Sequence, residues 1–189
     1  RFDGAGRLVA DDVTLTLIPY YAWAHRGAGE MTVWLPIDLM ATRPATAPTI
    51  ASQAAVTAST PTAALRAVND GLMPKQAGDR SMPYYHWWPE TASTQWIAYE
   101  FDGAKTISES TVYWFDDGPW GGCRIPAAWR LYYRDASGAW AEVKPRNGYP
   151  VVKDAPCTAE FEPIETSAMK LEVQLPADNS AGVFEWSVK

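Results

Sequence analysis

Two short segments of this chain hold the side chains best suited to recognition or chemistry. They are Tyr84-Tyr85-His86-Trp87-Trp88-Pro89 and Tyr113-Trp114-Phe115-Asp116-Asp117-Gly118-Pro119-Trp120-Gly121-Gly122, the second running on into Cys123 and Arg124. Sugars present polar edges and apolar C–H faces together, so a site that reads them needs flat rings beside a few hydrogen-bonding groups. His86, Trp87, Trp88, Asp116, Asp117, Trp120 and Arg124 are therefore the expected ligand-binding residues. A ring in a loop rich in glycine and proline is harder to bury than one on a strand, which makes Trp120 the expected exposed platform. Arg124 has two readings: its fork meets two sugar hydroxyls, or it pairs internally with Asp116 or Asp117.

The same residues do not compose a hydrolytic centre. Glycosidases hold two carboxyls roughly 5 to 9.5 Å apart across a sugar, whereas Asp116 and Asp117 are adjacent and, on extended backbone, point opposite ways. The two histidines, His25 and His86, have no partner at metal-ligand spacing. No Gly-x-Ser-x-Gly, His-Glu-x-x-His or phosphate-loop motif occurs. The chain is expected not to be an enzyme by itself.

Hydrophobic alternation supplies the elements that position these residues. Val13, Leu15 and Leu17 alternate with Thr14 and Thr16, and Met31 to Leu35 form a second run. These read as two strands that pair with each other and lean on the rest of the chain or dimerise. The aromatic stretch Pro19 to Arg26 between them is expected to pack. Residues 40–49, rich in Ala, Thr and Pro, read as a linker. A helical turn over Ala63 to Val68 ends at Asn69-Asp70-Gly71.

Strand patterns then follow at Gln95 to Phe101, Glu109 to Phe115, Trp129 to Tyr133, Trp140 to Val143, Cys157 to Phe161, Met169 to Leu175 and Val183 to Val188. Turn signals separate them at Asp102-Gly103, Ser137-Gly138 and Asn147-Gly148. The pattern predicts an all-β fold, an antiparallel β-sandwich of about eight strands. Trp96, Trp114, Trp129, Trp140 and Trp186 lie within strand patterns and are expected in its core.

At 47% hydrophobic and 20% charged residues, 189 residues can build that core without metals or disulfides. With 22 acidic against 16 basic side chains and no run of Lys or Arg, nucleic acid and anionic membrane are not expected partners. No apolar stretch approaches the roughly 18 residues of a spanning helix. Cys123 and Cys157 pair only if the fold brings them together, and otherwise serve as small buried hydrophobes. The first residue, Arg1, is expected to mark a fragment or a processed chain.

Five features between Thr49 and Lys189 occur in a telling order: Ala67-Val68-Asn69-Asp70-Gly71, the strand ending Phe101-Asp102, Val112-Tyr113-Trp114, Trp129-Arg130-Leu131-Tyr132-Tyr133-Arg134 with Gly138-Ala139-Trp140, and Gly182-Val183-Phe184-Glu185-Trp186. Together they resemble the coagulation-factor type C, or discoidin, fold used by family 32 carbohydrate-binding modules. The resemblance implies a galactose-binding-like jelly roll over residues 50–189, with one structural calcium. On the matching positions Asp70 and Glu185 would give carboxylates and Ala67 and Leu72 carbonyls, with Asp79 a further candidate; calcium takes six to eight such oxygens.

Leu17-Ile18-Pro19-Tyr20-Tyr21-Ala22-Trp23-Ala24-His25-Arg26-Gly27, followed by Gly29 to Pro36, resembles the end of the family 127 glycoside hydrolases, the β-L-arabinofuranosidases and their relatives. The resemblance implies that residues 1–39 are the terminal strands of a β-sandwich that follows a catalytic barrel missing here. It further implies a secreted or periplasmic parent. The expected role is then a non-catalytic module that holds an arabinose- or galactose-containing glycan near that missing catalytic domain. The alternative is a structural accessory domain that docks on the catalytic domain and binds no sugar. A concave groove of rings flanked by polar groups favours the first, a flat apolar patch the second.

Overall fold

The computed structural model describes residues 47–189 and, before them, the backbone of three short strands. The chain divides into two compact units, Arg1–Pro44 and Ala45–Lys189. In the first, β1 (Thr14–Leu15), β2 (Trp23–Arg26) and β3 (Met31–Trp34) form one sheet in the order β1-β3-β2. The two expected strands do pair, in parallel, with Thr14 opposite Thr32 and Leu15 opposite Val33. The aromatic stretch between them supplies β2, antiparallel to β3 with Trp23 opposite Trp34. What this sheet packs against, and the first seven positions of the expected linker, lie outside the described residues.

The larger unit is already folded where the linker was expected to end. Thr49 N donates to Ser52 Oγ (2.8 Å) and Ser52 N to Thr49 Oγ1 (3.0 Å), a reciprocal side-chain clasp that closes a turn. After it come β4 (Ala55–Ala58), a 3₁₀ helix (Ala63–Asn69), β5 (Tyr85–His86), β6 (Thr94–Phe115), β7 (Ala128–Arg134), β8 (Trp140–Glu142), β9 (Cys157–Gln174) and β10 (Gly182–Val188). The sheet order is β5-β10-β6-β9-β7-β8, with β4 on β6, and every pairing is antiparallel.

Two pairs of expected strands are each one long strand. Gln95 to Phe101 and Glu109 to Phe115 both belong to β6, and Cys157 to Phe161 and Met169 to Leu175 both belong to β9. Asp102-Gly103 was read as a turn, but the β6–β9 register shifts between Glu100 and Lys105 and again between Ile107 and Glu109. Gly103, at φ 80°, lets the strand bulge and change direction without ending.

These bends make the sandwich. The first part of β6 pairs with β4 and the last part of β9, while its second part pairs with β10 and the first part of β9. Rings then join the halves across one core. Tyr99 stacks on Trp186 at 4.0 Å between centroids, and Trp114 meets Trp129 edge-on at 5.9 Å. The Tyr99 hydroxyl lies within hydrogen-bonding distance of the carbonyls of both Val68 (3.0 Å) and Trp186 (2.7 Å), so this buried polar tip is satisfied. Fully burying a side chain of this size contributes about 3 kcal/mol. Trp87, Trp114, Trp129 and Trp186 are all fully buried.

Two of the tryptophans expected in the core are not there. Trp96 alternates with buried Gln95 and Ile97 and is only half-buried on the outer face of β6. Trp140 sits on the edge strand β8 and is exposed, with Arg134 at 5.0 Å and Lys170 at 5.4 Å from its ring centre. A second cluster, Ala77, Tyr113, Phe115, Cys123 and Phe184, packs with Met82 and Tyr84. The segment from Gly71 to Tyr84 thus covers the other side of β6 and β10. Cys123 and Cys157 are both buried and both free thiols.

Candidate functional site

Strand alternation decides what the first aromatic segment presents. β5 pairs with β10, Tyr85 opposite Val183 and His86 opposite Gly182. Trp87 N continues the pairing by donating to Ala181 O (3.1 Å). Tyr85 and Trp87 therefore point inward and are fully buried, whereas His86 is half-buried and Trp88 is 59% exposed. Trp87, expected among the ligand-binding residues, belongs to the core: its indole N–H donates to Ser59 Oγ (3.2 Å) and its ring meets Tyr85 edge-on. Trp88 lies over the next loop so closely that a Cβ on Gly122 would come within 2.6 Å of the indole.

The second aromatic segment turns sharply after β6. Asp116 is buried, and its carboxylate accepts from Lys153 Nζ (2.9 Å), Gly118 N (2.9 Å) and Ile125 N (3.2 Å). Burial alone would raise this carboxyl, but the Lys153 contact and the two amides outweigh it and hold it below the usual range. Asp116 thus ties the loop together rather than facing a ligand, contrary to its place in the expected set.

Asp117 points the other way. Its Oδ1 accepts from Cys123 N (2.9 Å) and its Oδ2 from the Arg80 guanidinium (2.9 Å). Arg124 resolves toward an internal role: its Nη1 donates to Gly121 O (2.9 Å) and Cys123 O (2.7 Å) and stands 3.9 Å from Asp117. Its guanidinium braces the turn. Trp120, at the tip, is 94% exposed, as the loop composition predicts.

Two clefts open at this end of the sandwich. One, of about 190 Å³, is lined by Tyr84, His86, Trp88, Phe115, Asp117 and Gly122, with Cys123 at its wall. Its floor is rigid because Tyr84 stacks flat on Phe115 at 3.7 Å and Phe115 meets Phe184 edge-on. His86 Nδ1 is buried with no hydrogen-bond partner among the described residues. Burial depresses the imidazole pKa, against the opposing pull of Asp117, which favours the neutral ring. The other cleft, of about 470 Å³, is lined by Gln76, Gly78, Arg80, Asp117, Gly118 and Trp120. Sequence reasoning missed Arg80 and Gln76, because the segment that carries them shows no periodicity or motif and reaches the site only by covering the second cluster; Tyr84 stands in the aromatic segment but is not among the expected ligand-binding residues.

The expected metal residues fall into two places. Asp70 closes the 3₁₀ helix and Glu185 sits on β10, both buried. Their carboxylates meet at one turn, where Gly71 N donates to Glu185 Oε2 (3.0 Å) and Leu72 N to Asp70 Oδ1 (2.9 Å). Burial first, and the Asp70 charge second among the causes that raise it, push Glu185 up to about 8. Two buried carboxylates in one spot fit a divalent cation, and Ala67 and Leu72 lie beside them in the chain. Asp79 is elsewhere: its Oδ1 accepts from Ser81 Oγ (2.6 Å) and Ser81 N (3.0 Å) in its own loop. Among the described residues no group of three or more His, Cys, Asp or Glu gathers as a metal site. Any cation here would depend on backbone carbonyls for the rest of its shell.

Comparison with known proteins places both units. Residues 5–36 match the family model of the glycoside hydrolase family 127 C-terminal domain. Among solved structures the chain is similar to one of the Streptococcus pneumoniae β-galactosidase BgaA, with TM-score 0.57, 15% identity, and 72% of this chain and 96% of that one covered. It is similar to the family 32 carbohydrate-binding module of Clostridium perfringens NanJ in complex with galactose, with TM-score 0.54, 15% identity, and 74% and 96% covered. It is also similar to chitosan-binding module 1 of a Paenibacillus chitosanase/glucanase, with TM-score 0.54, 13% identity, and 76% and 99% covered. At such identities the likeness is one of fold. The chain carries the discoidin-like β-sandwich fold of family 32 carbohydrate-binding modules and, ahead of it, the sequence pattern of a family 127 C-terminal domain.

Proposed function

We propose that the larger unit is a carbohydrate-binding module, which holds an arabinose- or galactose-containing glycan near the catalytic domain of a glycoside hydrolase. One observation carries the reading: the exposed Trp88 ring shares a concave cleft with the half-buried His86 imidazole and the Asp117 carboxylate. A ring for a C–H face, a neutral imidazole and a fixed carboxylate for hydroxyls are what a sugar's two-sided surface requires. Holding substrate close raises its effective concentration at a tethered active site. We further propose that Asp70 and Glu185, with the carbonyls of Ala67 and Leu72, hold one calcium that fixes the turn between the 3₁₀ helix and β10. Calcium bound there would supply positive charge to two buried acids.

The docking alternative draws support from the exposed Trp120 and Trp140, since rings also mark interfaces. Yet the outer sheet face around Trp140 is laced with the pairs Arg130–Glu142, Arg134–Glu100 and Lys170–Glu172, which is not a flat apolar patch. Titration calorimetry with arabinose- and galactose-containing glycans tests the reading, with Trp88→Ala as control. Wild type binds one of them and the variant loses at least about tenfold in affinity. Absence of binding to the whole panel, or equal binding by the variant, overturns it.

A further inference from the structure

The two clefts meet at a single side chain. Asp117 lines both, while His86 and Trp88 belong only to one and Arg80 and Trp120 only to the other. Its two oxygens are engaged from different directions, Oδ1 by the Cys123 amide within the loop and Oδ2 by Arg80 across it. The smaller cleft, about 190 Å³, falls under the range of about 300–1,000 Å³ usual for small-molecule sites. The larger one lies within that range. Each cleft contains one exposed indole, and each indole stands beside polar groups: His86 with Trp88, Arg80 and Gln76 with Trp120.

A single sugar ring cannot use both indoles if a carboxylate stands between them. Trp120 is nine-tenths exposed and, among the described residues, packs on no ring, so its position at the rim contributes little to folding. Arg80 is 60% exposed and commits one guanidinium nitrogen to Asp117, which leaves the rest of its fork to donate. That is a second acceptor-seeking, C–H-seeking surface adjoining the first.

We propose that the site takes an oligosaccharide of at least two sugar residues, one beside Trp88 and His86 and the next beside Trp120 and Arg80, with Asp117 at the junction. This rests on the reading of the module as glycan-binding, and sets the ligand's length. Trp88 and His86 give the primary contact. Trp120 and Arg80 add an increment that only a second residue can claim.

The experiment compares monosaccharides with their own dimers on the whole chain: galactose with galactobiose, and arabinose with arabinobiose, by titration calorimetry. For at least one pair the dimer binds about tenfold more tightly than the monomer. Trp120→Ala removes that increment and leaves monomer affinity unchanged, whereas Trp88→Ala abolishes both. Equal affinity for monomer and dimer in wild type overturns the proposal, as does a Trp120→Ala variant that weakens both equally or neither. If no sugar binds wild type, the glycan-binding reading itself falls and this inference falls with it. A monomer that binds without gain from a second residue leaves the first standing and removes only the second.

Discussion

The carboxylate of Asp117 occupies the space that a β-carbon on Gly121 would need. The same turn is closed by Gly121 N donating to Asp117 O at 3.0 Å. Asp117 is thus folded back over its own loop, and the absence of a side chain four positions later lets it reach Cys123 N and Arg80. The placement of a charged group at the centre of the site is encoded by a glycine.

Gly121→Ala is expected to swing that carboxylate out of both clefts. Losing a charge-assisted contact to the sugar weakens binding about tenfold to a hundredfold. The melting temperature is expected to fall by several degrees, because the displaced carboxylate leaves the amide of buried Cys123 without its acceptor, while the lost pair with the exposed Arg80 adds little. Calorimetric titration beside a thermal melt measures both. Unchanged affinity in a folded variant would show that Asp117 does not touch the ligand.

Trp87 and Trp88 are neighbours in sequence and opposites in role. Trp87→Ala removes a fully buried ring and is expected to cost about 3–5 kcal/mol in a denaturant titration. Trp88 is 59% exposed, so Trp88→Ala is expected to change stability by less than about 1 kcal/mol while losing sugar affinity. Similar destabilisation by both would mean that Trp88 is structural.

That contrast shows what could be read from the chain alone. Period-two alternation located most strands and the buried Trp114, Trp129 and Trp186, and loop composition located Trp120. Alternation also contained the answer for Trp87, since Tyr85 and Trp87 fall on one face, but the run of aromatics hid it. The continuity of β6 through Asp102-Gly103 was not legible, because a glycine in the left-handed region serves a bulge as readily as a turn. Nor was the role of Arg80 or Tyr84, which depends on where an irregular segment lies over a sheet. Asp116 and Arg124 had the composition of ligands and became scaffolding through contacts to backbone and to Lys153 that spacing does not reveal.

Lys153 reaches the loop from 37 positions away and neutralises the buried Asp116. Lys153→Met leaves that carboxylate without its cation. Because Lys153 is itself 44% exposed, solvent screening limits the expected loss to about 1–2 kcal/mol. The Asp116 carboxyl is held below its ordinary value of 3.8. The stabilisation is therefore present above that value and lost as pH falls through the lower, folded one. The gap between wild type and variant in denaturant titrations should be constant near neutral pH and close in acid. A gap that persists once the carboxyl is protonated would assign the effect to lost packing of the lysine stem.

Glu185 gives the opposite sign. Its folded value of about 8 lies above the ordinary 4.5, so between the two the folded protein holds a proton that the unfolded chain has released. Metal-free stability therefore falls as pH rises across that window, and the full penalty applies above about pH 8. A divalent cation between Glu185 and Asp70 takes the place of the proton and removes the penalty. In chelator the melting temperature should drop by several degrees between about pH 5 and about pH 8, and millimolar calcium should restore it at the higher pH. Glu185→Gln keeps an oxygen for the Gly71 amide but carries no charge, so its melting temperature should be flat across the window and indifferent to calcium. Wild type that drops with pH but ignores calcium would leave the buried acid pair intact and exclude calcium as its occupant.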